Sequence, residues 1–175
     1  MQRLISLVLL LSAAAVGASE PELESAIADL IKKMSLDQKI GQLNLWGRGS
    51  RGSYDVIPPE QEEAVREGQV GALINVMDVN EVDRIQRIAV QESPHGIPLL
   101  FGRDVIHGLH ALAPIPLAQA ATWDLDLVEA GSRTAAADAS AYGIRWTFAP
   151  MLDIARDPRW GRIAESPGED PFLAS

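Results

Sequence analysis

The chain contains no cysteine. That excludes disulfide bridges, thiolate metal sites, a cysteine nucleophile and a cysteine-linked lipid anchor. Positive charge is also scarce. Fifteen lysines and arginines stand against 24 aspartates and glutamates over 175 residues, a formal charge of −9. A chain of that sign is a poor partner for nucleic acid, whose affinity comes mostly from neutralised phosphates, and for anionic lipid. No apolar run reaches the ~20 residues of a membrane helix. No G-x-G-x-x-G follows any candidate strand, and no internal repeat is evident. What remains is 47% apolar and 22% charged, the composition of a chain that buries a core.

The first residues read as a secretory leader. Arg3 is their only charge, an apolar run extends from Leu4 to Val16, and Val16-Gly17-Ala18 suits peptidase cleavage before Ser19. The alternative is an uncleaved anchor, for which the run is short. A periplasmic or secreted location is the expectation, with no membrane contact after cleavage. The lack of cysteine fits export without oxidative folding.

Beyond Ser19, Leu23, Ile27, Leu30, Ile31 and Met34 follow helical spacing. Ser35 and Gln38 form a capping-box pattern that opens a second short helix. Gly41 to Trp46 can pass into a strand, and Gly47 to Tyr54 is a polar loop. Pro58-Pro59 followed by four acidic or amide residues marks another helix start. Val70 to Val76 and Ile97 to Asp104 read as buried strands, separated by a helix carrying Val82, Ile85, Ile88 and Ala89. Asp124 is the expected N-cap of a helix from Leu125 to Tyr142, with Gly143 as its stop. Ile144 to Pro150 is a further strand.

Strands alternating with helices predict an α/β fold with a parallel sheet. An open doubly wound sheet and a (β/α)8 barrel both satisfy the pattern. Asn75, Asp104 and Asp153 stand just after strand ends, where either fold gathers its site. A barrel takes ~250 residues, so there is room here for about four βα units. On the barrel alternative, residues 19–175 are the N-terminal half of a TIM-like barrel truncated after about four units.

Two segments can carry chemistry. In Gly102-Arg103-Asp104-Val105-Ile106-His107-Gly108-Leu109-His110, an aspartate at a strand end can accept hydrogen bonds from two neighbouring hydroxyls, as in a sugar diol. It could equally cap the next turn. Asp104, His107 and His110 also suggest a metal cluster, but a structural histidine is the more usual outcome, and no metal is assigned. The second segment runs from Met151 through Arg156-Asp157-Pro158-Arg159-Trp160-Gly161-Arg162 to Glu165 and Asp170. Pro158 keeps Asp157 out of helical geometry, so this is a shaped loop. An arginine fork can grip adjacent hydroxyls while the loop's acids hold the other arginines. A purely structural salt-bridge network is the alternative. Trp160 offers an apolar face to a sugar ring, although core packing is the commoner use of such a residue.

Several stretches, taken in order, resemble the N-terminal part of the catalytic barrel of glycoside hydrolase family 3, especially its periplasmic β-glucosidase branch. They are Lys33 to Leu43, Gly68 to Ala72, Asp104-Val105-Ile106-His107-Gly108, Phe148 to Asp153, and Arg156 to Arg162 continuing through Glu165 to Asp170. The β-N-acetylhexosaminidase branch usually carries D-Q-E-G-G-R where this chain has Asp104 to Gly108, which favours the glucosidase or xylosidase branch.

The resemblance implies the truncated barrel of the two architectures, and that Asp104 and Arg162 hold hydroxyls of the terminal non-reducing sugar. Glu165 and Asp153 would orient the arginine loop, and His107 would position Asp104 or the loop after it. It implies no cofactor, a β-glucoside or oligosaccharide as partner, and no nucleic acid. The family's Lys-His pair, nucleophile and acid/base are expected beyond Ser175, so the chain alone should be an inactive part of a retaining exo-β-glucosidase or β-xylosidase. A non-catalytic sugar-binding α/β domain is the rival reading. A chain that never folds stably is a third.

Overall fold

In a computed structural model of the protein, the described residues are 19–47 and 56–175. The expected leader, residues 1–18, lies outside them, as does most of the polar loop after Gly47. The elements run α1 (Glu20–Lys33), α2 (Leu36–Gly41), β1 (Leu45–Gly47), α3 (Pro59–Arg66), β2 (Ala72–Ile74) and α4 (Val79–Gln91). They continue through β3 (Leu100–Arg103), α5 (Pro116–Ala120), α6 (Leu125–Ala141) and β4 (Trp146–Thr147) to two 3-10 turns, Pro158–Trp160 and Ile163–Glu165. Among the described residues no helix is long and apolar enough to cross a membrane.

Local sequence accounts for the helix ends. Ser35 Oγ accepts from the Gln38 backbone N–H at 3.2 Å, and Gln38 Oε1 accepts from the Ser35 N–H at 2.9 Å, so the capping box forms. A second serine–glutamate pair, unexpected from sequence, opens α1. Glu22 accepts from both the backbone N–H and the hydroxyl of Ser19, each at 2.8 Å. Asp124 accepts from the Leu127 N–H at 3.0 Å and caps α6. Gly143, at φ +78°, ends that helix in a conformation that disfavours side chains. The short α5 is an addition to the expected elements. Pro116 starts it at a position where a missing N–H costs nothing.

The four strands form one parallel sheet in the order β1-β2-β3-β4. Leu45, Ala72 and Leu100 align, as do Gly47, Ile74, Gly102 and Trp146. Each crossover carries a helix. Among the described strands the order never reverses, so they contain no topological switch point. The strands are shorter than their apolar runs. Asn75 takes φ +68° directly after β2 and leaves extended geometry there. Gly71 lies so close to Gln42 that an added Cβ would meet its carbonyl oxygen at 2.2 Å. The apolar runs therefore mark burial more widely than strand pairing: Val70 and Val76 are buried outside the ladder.

The main core lies between the sheet and helices α3 and α4. It gathers Ile57, Ala64, Val65, Leu73, Val82, Ile85, Ile88 and Phe101, with Trp46 against it. Period-two alternation sends Trp46, Leu73 and Phe101 to that side. The opposite side holds Leu45, Leu100 and Trp146, which stay exposed. This corrects the reading of Ile97 to Asp104 as a strand buried on both faces: Leu100 is 49% exposed because helices cover only one side.

Ions reinforce the covered side. Glu81 is buried, accepts from the Ile57 N–H at 2.6 Å, and takes two bonds from Arg84 at 2.7 and 2.8 Å. Arg84 also reaches Glu62 at 2.6 Å. Arg66 then joins Glu62, Glu63 and Glu92, linking α3 to the end of α4. Hydrogen bonds from Arg84 chiefly hold the carboxyls of Glu81 and Glu62 below their ordinary range.

Candidate functional site

Asp104 follows β3 directly and is exposed. Alternation along the strand puts it on the same side as Leu100 and Gly102, away from the helices. Its neighbour Arg103 reaches back to Asn75 at the end of β2, donating to Oδ1 at 2.7 Å. The ends of two adjacent strands are thus tied together beside Asp104.

The loop after Asp104 is held by its histidines. His107 Nδ1 and the Ala113 carbonyl lie 2.9 Å apart, and the Ala113 N–H donates to the His107 carbonyl at 2.7 Å. No bond joins His107 to Asp104 among the described residues. His110 stacks on Tyr142 with ring centroids 4.5 Å apart. Asp138, on α6, accepts from the backbone N–H groups of His110 and Ala111 at 2.8 and 3.2 Å. Those bonds lower its pKa below the ordinary carboxylate range. Asp104, His107 and His110 do not gather, and among the described residues no group of three such side chains could hold a metal.

The arginine loop is a chain of local pairs. Asp157 caps the first 3-10 turn through the Arg159 N–H at 2.9 Å and receives the Arg159 guanidinium as well. Arg162 grips Glu165 through Nε at 3.1 Å and Nη2 at 2.5 Å. That bond depresses the Glu165 pKa and raises that of Arg162. The carboxylates of Asp153 and Asp104 raise Arg162 further, so both lie within electrostatic reach of its guanidinium. Of the expected site residues, the structure joins Arg162 to Glu165 directly, with Asp153 and Asp104 adding smaller electrostatic pulls on the guanidinium; His107 bonds to Ala113 instead.

Sequence reasoning passed over Ser166. It is fully buried, donates to the Asp153 carbonyl at 2.7 Å, and accepts from the Gly168 N–H at 3.2 Å. With Ala155 N–H on the Gly168 carbonyl at 2.9 Å, it closes the loop on itself. Its only sequence signal was the turn pattern Ser-Pro-Gly. Trp160 departs from the packing role favoured for it. It is 42% exposed, carried on a turn that projects outward.

A cavity of about 410 Å³ opens beside this rim and takes His107 into its wall. It lies between α6 and β4, walled by His107, Ser132, Ala136, Arg145 and Thr147. No carboxylate lines it, so it offers no group able to attack or protonate a glycosidic bond. A smaller cavity of about 120 Å³ has Glu165 on its wall.

Comparison with known proteins bears on both segments. Residues 35–175 match the model described as "Glycosyl hydrolase family 3 N terminal domain". The chain is 40% identical over 156 residues to the periplasmic β-glucosidase of Salmonella typhimurium, covering 89% of this chain and 20% of that protein. It is 28% identical to a β-xylosidase of Formosa agariphila, covering 90% of this chain and 17% of that one. A β-glucosidase from Listeria innocua, solved in complex with isofagomine, superposes with a TM-score of 0.74 at 35% identity, covering 86% of this chain and 21% of that chain. The chain thus spans about a fifth of the length of the relatives it matches.

Proposed function

Because the chain belongs to glycosyl hydrolase family 3, we propose that it forms the N-terminal part of the (β/α)8 barrel of a secreted, retaining, exo-acting β-glucosidase. On this reading residues 1–18 are the cleaved leader, and the protein works in the periplasm. Asp104 and Arg162 hold hydroxyls of the terminal β-glucosyl unit. Glu165 and Asp153 fix the arginine loop, and His107 fixes the loop after β3.

The supporting observation is electrostatic. The Arg162 guanidinium senses Asp104 as well as Asp153 and Glu165, although Asp104 and Arg162 are 58 positions apart in the chain. A carboxylate that accepts and a guanidinium that donates make a complementary clamp for a sugar diol, whose hydroxyls do both. Glu165 holds Arg162 from one side, which fixes the fork before substrate arrives.

A retaining mechanism needs two carboxyl groups ~5–5.5 Å apart across the scissile bond, one attacking and one protonating. On this reading the described acids bind and position, and the bond-breaking pair belongs to another part of the protein. The 40% identity to a periplasmic β-glucosidase supports a β-glucoside as substrate, with a β-xyloside as the alternative.

In the complete protein, Asp104→Ala should lower kcat/KM on an aryl β-glucoside roughly ten- to a hundredfold, through loss of charged hydrogen bonds to the sugar. An unchanged value removes Asp104 from the site. The purified 175-residue chain should show no turnover of the same substrate; measurable, glucose-inhibited hydrolysis by it would refute the assignment.

A further inference from the structure

The uncovered side of the sheet carries an aromatic pair beside Asp104. Trp146 in β4 and Phe148 just after it have ring centroids 4.8 Å apart, tilted at 47°. Both remain open, at 38% and 39% exposure. The pair lies across Gly102, the register partner of Trp146. A Cβ added at Gly102 would meet the Phe148 ring at 3.2 and 3.3 Å and the Trp146 ring at 3.7 Å. The missing side chain at 102 is what lets the rings reach over β3. Asp104 is two residues further along the same side, about 7 Å at strand rise.

Given the reading of Asp104 and Arg162 as a sugar clamp, we infer that Trp146 and Phe148 form the floor of the saccharide site, and that Gly102 makes room for it. A β-glucosyl ring has equatorial hydroxyls around its edge and C–H groups on its faces. Its edge suits a carboxylate and a guanidinium, and its face suits an aromatic surface. The polar groups at the strand ends and the apolar surface beneath them match the two parts of one ring. Phe148 also begins the segment that leads to the arginine loop.

The test uses the complete protein and an aryl β-glucoside, with glucose affinity measured separately by calorimetry. Phe148→Leu and Trp146→Leu should each raise KM and weaken glucose binding about two- to tenfold, the range of one aromatic contact. Phe148→Tyr keeps the ring and should keep the affinity. Gly102→Ala should weaken glucose binding in the same direction by displacing the rings. Melting followed by circular dichroism separates this from a packing role. Lower melting temperatures with unchanged KM and glucose affinity would assign the rings to packing against the rest of the protein and overturn the floor. A wild-type protein that neither turns over the glucoside nor binds glucose would overturn the sugar clamp itself, and the floor with it.

Discussion

Between Ile57 and Phe101 the chain closes around a large apolar cluster; between Asp104 and Asp170 the apolar cluster shrinks to Val105, Ala139 and Ile144, and hydrogen bonds take a larger share. The first region buries Leu73, Ile85 and Phe101 almost completely, under helices whose apolar positions recur at helical spacing. The second leaves Leu127, Leu152 and Trp160 in the open. It holds its shape through Asp157 with Arg159, Arg162 with Glu165, and the buried Ser166 hydroxyl. Even α6, with 17 residues, buries only Ala139. On the proposed reading, a rim that presents charged groups to a sugar does not also bury them. Two of these bonds, Asp157 with Arg159 and Arg162 with Glu165, join near neighbours at little cost in chain entropy, while the Ser166 hydroxyl ties the loop to Asp153 across 13 positions.

The sharpest way to break this contrast is to remove volume from each region. Phe101→Ala should destabilise by about 3–5 kcal/mol in a denaturant titration, whereas Leu127→Ala should stay within ~0.5 kcal/mol. Equal losses would show that both regions rest on apolar burial. Next comes the ionic support of the first region. Glu81→Ala strands the Ile57 N–H and should cost about 1–3 kcal/mol.

That support also has a pH signature. The carboxyls of Glu81 and Glu62 are held below their ordinary value of 4.5. Their contribution is therefore complete above that value and is lost as pH falls through the lower folded values. The melting temperature should drop below about pH 4.5, and Glu81→Gln should flatten that drop; an unaltered slope would exclude Glu81 as a source. The smallest expected effect is in the loop. Ser166→Ala should cost about 1 kcal/mol and speed hydrogen exchange at the Ala155 and Gly168 amides, while amides in β2 and β3 stay protected.

The first region was the more legible in the sequence, for the same reason. Ile85, Ile88 and Ala89 announce a helix because burial imposes a period. Ser35, Gln38 and Asp124 announce helix starts because caps have few chemical solutions. Strand limits were overdrawn, since an apolar run reports where water is excluded and not where the ladder ends. The α5 turn was hidden, although Pro116 occupied a position typical of a helix start. At the site, Asp104 and Arg162 stood out by residue type and placement. Ser166 and the Arg103–Asn75 tie did not, because their partners are a distant carbonyl and a side chain 28 positions away. Pairings across the fold have no period to betray them.

The pair that opens α1 has a bearing on maturation. Scission between Ala18 and Ser19 would turn the Ser19 amide, whose proton Glu22 already takes, into a free ammonium. A cation there opposes the positive end of the helix dipole, and the Glu22 carboxylate is in place to neutralise it. The helix would thus accept its own newly exposed amine without unwinding a turn. A Glu22→Gln chain should show a lower pKa for that amine by NMR titration, and an unmoved value would disprove the link.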